Sequence, residues 1–459
     1  MPLLVKNGEI VTADSRYFAD IYCEGDTITR IGKDLEAPAG SEVVDASGKY
    51  VFPGFIDPHV HVYLPFMGTE TKDNHTTASQ AALVGGTTSI IEMAAPGPDI
   101  PATEGYALWK GKADGNSACD YTFHMGVTHF DDSTPDQLRE VVEDGITSFK
   151  VFLAYKGALD VDDDALFRTL TLARELGVTV TAHCENAELV YRRQQMLLAQ
   201  GNVGPGFHEK SRPARVEAEG TNHFATFLEM TGAKGYVVHL SCLPALEAAI
   251  DAKQRGVDIT VEAVIPHLIL DYTYAERPDF EGAKFVMSPP LRTPRDREAL
   301  WRALEQGIVD TVGTDHAPFD FEGQKDMGKA DFTKIPNGIP AIEDRVNMLY
   351  TYGVSRGNLD IHRFVDAAST RVARIFGLTQ KGQIAVGKDA DLVVYDPKYR
   401  GTLSDRPEYM NVDYRGFGGF EIDGRPSVVT VRGQVAVRDG EFVGDTSRGK
   451  LIRREPVKG

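Results

Sequence analysis

The stretch TSFKVFLAYKGALDVDDDALFRTLTLARELGVTVTAH, residues 147–183, decides the fold. It opens on an apolar run, TSFKVFL. It then passes into DDALFRTLTLARELG, whose apolar residues recur at helical spacing before a glycine, and it closes on a second apolar run, VTVTAH. A strand, a helix stopped by glycine and a second strand make the βα unit of a parallel sheet. Outward from it the pattern repeats. Candidate strands are GFIDPHVH (54–61), TTSIIEM (87–93), YTFHMGV (121–127), TSFKVFL (147–153), VTVTAH (178–183), YVVHL (236–240), DITVEAV (258–264) and DTVGTD (310–315), with helical segments such as PDQLREVVEDG and LPALEAAIDAKQRG between them. Eight such units over about 320 residues predict an α/β fold, a (β/α)8 TIM-type barrel with its active site at the C-terminal ends of the strands.

The two ends of the chain read differently. LLVKNGEIVT, ADIYCEGDTITRIG and EVVDASGKYV near the start, and DADLVVYDP and PSVVTVRGQVAVRDGEFV near the end, are short strands broken by Gly and Asp. They predict a smaller β-sandwich built from both termini, residues 1–52 and 376–459, around a barrel of residues 53–375.

Composition excludes several classes of function. Forty-nine Lys+Arg against 67 Asp+Glu leave a net charge of -18, which opposes binding to nucleic acid or an anionic membrane. No apolar run approaches the roughly 18 residues of a membrane span, and MPLLVKNGEIVTADS lacks the pattern of a signal peptide, so cytoplasmic residence is the expectation. Cys23, Cys119, Cys184 and Cys242 lie far apart with no C-x-x-C pair, which suggests neither a disulfide framework nor a thiolate zinc site.

Chemistry gathers at the strand ends. His59 and His61 are two apart in a strand and so face the same side, towards the barrel mouth. Alone, such a pair is as well explained by structural histidines. His183 closes the fifth strand, His239 lies near the end of the sixth and Asp315 closes the eighth, so metal-ligand residue types recur at the catalytic face. Lys150, inside the apolar fourth strand, is expensive to bury unless paired or neutral. An ammonium cannot ligate a metal, but a carbamate formed from the neutral amine and CO2 offers two oxygens able to bridge two cations.

With these motifs the chain resembles the metal-dependent amidohydrolases, and within them the hydantoinases and dihydropyrimidinases. The matching stretches are DPHVH (57–61), SFKVFLAYKG (148–157), HCEN (183–186), VVHLS around His239, SPPLR (288–292), GTDHAPF (313–319), PNGIPAIEDRV (336–346) and VGKDADLVVYDP (386–397), which together span nearly the whole chain. The resemblance implies two divalent ions, zinc first, with Mn2+ or Co2+ as alternatives. His59, His61 and Asp315 would hold one and His183 and His239 the other, with carboxylated Lys150 and a hydroxide bridging them. Asp315 would carry the proton to the departing ring nitrogen, and Tyr155 would donate to the oxyanion. Ser288 and Asn337 would hold the cyclic imide or ureide, and Leu64, Phe66, Phe152 and Leu159 would shape the pocket for the ring substituent.

The implied reaction is hydrolytic opening of 5,6-dihydropyrimidines or 5-substituted hydantoins to N-carbamoyl amino acids, by a homo-oligomer that is commonly a tetramer. Dihydroorotases resemble the chain at the metal site but continue the first pair as HxHxR, with the arginine on the substrate carboxylate. Tyr63 stands there in this sequence, which favours a neutral ring. Allantoinase remains an alternative, as does a non-catalytic scaffold of the kind that lacks much of the metal set. His75, His124, His129, His208, His223, His267, His316 and His362 are not needed for this chemistry and are expected in solvent or hydrogen-bonded in the core.

Overall fold

In the computed structural model, which describes residues 1–457, the quoted stretch folds as the periodicity predicts. Strand Ser148–Phe152 is followed by helix Asp163–Leu176 and strand Thr179–His183, and the two strands pair in parallel with Phe149 opposite Val180 and Phe152 opposite His183. The Asp162 carboxylate accepts the Ala165 amide at 2.8 Å to start the helix, and Gly177, at φ +70°, ends it.

Eight strands of this kind form one parallel sheet in chain order: β1 (Phe55–Val60), β2 (Thr87–Ala94), β3 (Asp120–Gly126), β4 (Ser148–Phe152), β5 (Thr179–His183), β6 (Lys234–Val237), β7 (Ile259–Val264) and β8 (Thr311–Gly313). The barrel closes between β8 and β1, where Val60 bridges His316 and the His61 amide donates to the His316 carbonyl at 2.8 Å. Two expected strands are shorter than the sequence suggests. YVVHL yields Lys234–Val237 and DTVGTD yields Thr311–Gly313, so His239 and Asp315 lie two residues past their strands. Both have left-handed backbones, φ +41° and +51°, which a pleated strand cannot contain.

Arg345 staples the seam. Fully buried, it donates from one nitrogen to the carbonyls of Ile56 in β1 and Val312 in β8, at 2.9 and 2.8 Å, and its Nε lies 3.8 Å from the Asp57 carboxylate. Asp57 in turn accepts from the Thr314 amide and hydroxyl and from the His59 amide. Replacing Arg345 with Met should destabilise the protein by about 3–5 kcal/mol, because Asp57 would stay buried without its cation. Chemical denaturation of the purified variant reads this directly.

Both termini build the remaining β-structure. Strands Thr27–Gly32, Asp20–Glu24, Leu3–Lys6 and Glu42–Asp45 make one sheet. A second runs from Glu441–Phe442 through Gln434–Arg438, Glu421–Val431, Leu392–Thr402, Tyr50–Pro53 and Glu9–Val11 to Arg16–Phe18. Period-2 alternation lets the second sheet face two ways. Leu392, Val394 and Val51 pack towards the first sheet, whereas Val393, Tyr395 and Phe52 join the core shared with the barrel. Gly54 joins the sheet to β1 without a side chain, since a Cβ there would lie 2.1 Å from Thr88 Oγ1. Residues 449–454 then cross beneath β3 and β4, bonded to the backbone of Ser117, Tyr121 and Gly145. No helix among the described residues is long and apolar enough to cross a membrane.

Candidate metal centre and ring pocket

One cavity at the C-terminal end of the barrel is lined by His59, His61, Lys150, His183, His239 and Asp315, together with Leu64, Phe66, Phe152, Tyr155, Leu159, Ser288, Ala317 and Asn337. Every site residue expected from the sequence therefore meets in one place. The imidazoles are clustered, with His183 and His239 ring centres 4.5 Å apart, His59 and His239 5.3 Å, and His59 and His61 5.2 Å. Asp315 Oδ1 lies 3.2 Å from His59 Nε2 and 3.1 Å from His61 Nε2, so three donor atoms converge.

The donor set fits two divalent ions. Lys150 Nζ, His59 Nε2 and His239 Nδ1 are buried with no hydrogen-bond partner, a costly arrangement for a site that holds nothing. Burial pushes the His59 and His239 imidazoles well below their ordinary pKa and lowers that of His183, which keeps them neutral, the form that ligates. Burial also pulls the Lys150 amine down to about 8, against the opposing pull of Asp315 and Glu262, and so raises the neutral fraction that can react with CO2. Burial would raise the Asp315 carboxyl, but His59, His61 and Lys150 outweigh it and hold Asp315 ionised, below the usual carboxylate range.

Outside these residues lies a layer that the sequence reading did not single out. Glu262, fully buried in β7, accepts from His59 Nδ1 at 2.8 Å, from the His239 amide at 2.9 Å and from the Tyr236 hydroxyl at 2.8 Å. It thereby directs His59 Nε2 towards the cavity. Burial lifts its carboxyl to about 8 despite these donors. Glu185 does the same for His183, bonding Nε2 at 2.7 Å and Arg212 at 2.6 Å. Burial alone would raise the Glu185 carboxyl, yet the Arg212 guanidinium and His183 hold it down at about 2. The signal for Glu262 was present in DITVEAV, a carboxylate inside an apolar strand, as Lys150 is in TSFKVFL.

Tyr155 has φ +67°, and its ring lies 5.2 Å from that of His183 and beneath the Arg212 guanidinium at 5.4 Å. Burial pushes its phenol up to about 12, so it stays a donor at neutral pH. Asn337 Nδ2 donates to Ser288 Oγ at 2.9 Å, and His208 Nε2 bonds Met287 O at 2.9 Å. Beyond Phe66, Tyr155, Leu159 and Asn337 opens a second chamber of about 410 Å³, reaching Tyr191 and Arg212.

Tyr63 stands where dihydroorotases carry their arginine. It does not line the cavity but packs 5.8 Å from the His75 ring, with Lys112 Nζ 4.3 Å over its face. At φ +55° its backbone leaves the strand, and the side chain does not join His59 and His61 in the cavity. The lining agrees with a neutral ring, since it holds no arginine and, in Lys150, one amine. A second carboxylate cluster, Asp120, Asp389 and Asp391, is filled by Lys381 Nζ at 2.5, 2.9 and 2.7 Å. Of the spare histidines, His124 bonds Ser148 and the Pro58 carbonyl, His267 the Pro289 carbonyl, and His316 bonds Asp73.

Known proteins share this architecture. The amidohydrolase family pattern matches residues 50–436. A D-hydantoinase from Geobacillus stearothermophilus is 44% identical over 99% of this chain and 97% of its own length, and a dihydropyrimidinase from Rattus norvegicus is 37% identical over 99% and 89%. Among solved structures, a D-hydantoinase (dihydropyrimidinase) from Thermus sp. superposes with a TM-score of 0.98 at 69% identity, covering 99% of each chain. An L-hydantoinase (dihydropyrimidinase) from Arthrobacter aurescens reaches 0.91 at 28% identity, covering 98% of this chain and 99% of its own.

Proposed function

The chain belongs to the amidohydrolase family, among its hydantoinases and dihydropyrimidinases, and from that premise we propose how its cavity opens a cyclic ureide and which substrates it prefers. The enzyme hydrolyses cyclic amides to N-carbamoyl amino acids. The family implies a binuclear divalent centre. The observation that carries the residue assignment is the convergence of four imidazoles, Asp315 and a buried Lys150 in one cavity with Tyr155, Ser288 and Asn337.

His59, His61 and Asp315 would hold one ion and His183 and His239 the other, with a carbamate on Lys150 between them; zinc suits the imidazole-rich set. Bound there, the two ions acidify a water and polarise the carbonyl under attack. The remaining work falls to the chain. Ser288 and Asn337 hold the ring, Tyr155 donates its phenol proton to the developing oxyanion, and Asp315 accepts the proton of the attacking water and passes it to the ring nitrogen as the C–N bond breaks. Leu64, Phe66, Phe152 and Leu159 bound the space open to the substituent.

Identity of 69% to a protein named for D-hydantoins, against 28% to one named for L-hydantoins, favours the D enantiomer. A turnover panel tests this: dihydrouracil, dihydrothymine, hydantoin, both enantiomers of a 5-aryl hydantoin, allantoin and dihydroorotate. Opening of the neutral rings with D preference is expected, and turnover of dihydroorotate alone would overturn the reading. Tyr155→Phe should lower kcat by about 10²–10³-fold, because it removes one oxyanion donor and little shape. Steady-state kinetics with both ions retained check it.

The same reading divides the chain into residues 1–52, 53–375 and 376–459, and makes the enzyme a cytoplasmic homotetramer with no nucleic-acid or membrane partner. Four free, buried cysteines suit a reducing compartment. Light scattering measures the assembly.

A further inference from the structure

Two neighbouring side chains in the segment after Asp315 reach two parts of the cavity's surround without lining it themselves. Lys325 is fully buried, and its Nζ donates to the carbonyls of Val286 at 3.1 Å and Pro336 at 2.9 Å. The Val286 carbonyl also accepts the Gly338 amide at 2.9 Å. The amine thus spans the gap between the backbone segments that carry Ser288 and Asn337, whose side chains meet at 2.9 Å on the cavity wall. Gln324, next in sequence, donates from Nε2 to Thr69 Oγ1 at 2.6 Å and to the Glu70 carbonyl at 2.8 Å. Thr69–Glu70 is the return strand of a hairpin whose first strand, Pro65–Phe66, brings Phe66 to the cavity. Lys72, just past the hairpin, pairs with Asp320 of the same segment at 3.0 Å.

The lysine is a costly choice for this place. Among the described residues no acidic side chain pairs with it, and burial alone lowers its amine to about 7. A methionine would fill the same volume without the desolvation cost. What it could not do is bond two carbonyls at once.

We propose that Lys325 is a positioning residue that fixes the spacing of the Ser288 and Asn337 segments against the ring, while Gln324 beside it sets the hairpin that faces the ring substituent. One short segment then registers both halves of substrate recognition. The inference rests on the ring-opening reading above.

The test uses the full-length, metal-loaded enzyme. In Lys325→Met, KM for dihydrouracil and hydantoin should rise about tenfold or more while kcat stays within about threefold, since the reacting groups are untouched and only the ring's seat is loosened. The melting temperature near pH 7 should equal or exceed that of wild type, because an unpaired buried charge has gone. Amide exchange at Gly338 should quicken about tenfold. Lys325→Gln, which keeps an NH2 donor, should recover most of the KM. Gln324→Ala should raise KM for a 5-aryl hydantoin more than for hydantoin. Wild-type KM in Lys325→Met, or a lowered melting temperature with kcat and KM failing together, would overturn the proposal. Should wild type open no cyclic ureide, the functional reading fails by itself, and Gly338 exchange still decides the clamp: unchanged in the Met variant, it removes the proposal; quickened, it supports it.

Discussion

Lys150→Ala is expected to lower kcat/KM for a cyclic ureide by at least about 10³-fold and to leave the purified protein short of metal, since two cations supply several kcal/mol of charge stabilisation and each 1.4 kcal/mol is tenfold. The argument begins with burial. Lys150 Nζ is enclosed among His59, His183, His239 and Asp315 with no hydrogen-bond partner, which an ammonium tolerates poorly. Converting the amine to a carbamate replaces one buried cation by an anion among ligands that are themselves mostly neutral, and so makes the site attractive to two divalent ions. Alanine offers neither charge nor oxygen. The same chemistry predicts a pH effect. Burial moves the amine from 10.5 to about 8, so between pH 7 and pH 8 the metal-free protein gains neutral amine steeply. At fixed dissolved CO2, recovery of activity on adding metal should accordingly be several-fold faster at pH 8 than at pH 7. Full activity and two bound ions in Lys150→Ala would remove the carbamate from the mechanism.

How much of this was legible in the sequence differs from one feature to the next. The barrel was, because β-branched runs and helical spacing alternate eight times, and each strand needs only its local pattern to be seen. The residues that meet in the cavity were legible because polar residues inside apolar strands violate that pattern: Lys150 in TSFKVFL and His59 and His61 in GFIDPHVH stand out against their neighbours. The ends of β6 and β8 were not, since nothing in VVHL or VGTD announces that His239 and Asp315 adopt positive φ. Those kinks cost energy for non-glycine residues, and both residues that carry them line the cavity at the barrel mouth. Tyr63 also leaves the strand, at φ +55°, but the reading of that position needed only the absence of an arginine, which the sequence shows without any knowledge of the backbone. Arg345 and Arg212 act through partners distant in the chain, and single-sequence patterns carry no such pairing.

Asp315→Asn should keep the shape of the site and lose about 10²–10⁴-fold in kcat, the contribution of a positioned proton carrier. Asp315 Oδ1 is hydrogen-bonded to His61 Nε2 at 3.1 Å, while among the described residues no hydrogen bond goes to Oδ2. One oxygen can therefore anchor the carboxylate and the other can exchange protons with the reacting groups. Its neighbours keep the carboxylate ionised through neutral pH, ready to accept when water attacks. Asparagine retains the anchoring oxygen but cannot take up a proton, and the ring nitrogen, a poor leaving group as an anion, would have to depart unprotonated. The effect should depend on the leaving group. Substrates whose ring nitrogen is more acidic need the proton less, so the wild-type to Asp315→Asn ratio of kcat should shrink as that acidity rises, with metal content unchanged. A variant that loses metal and activity in parallel, with the same ratio for every ring, would instead confine Asp315 to holding the ion.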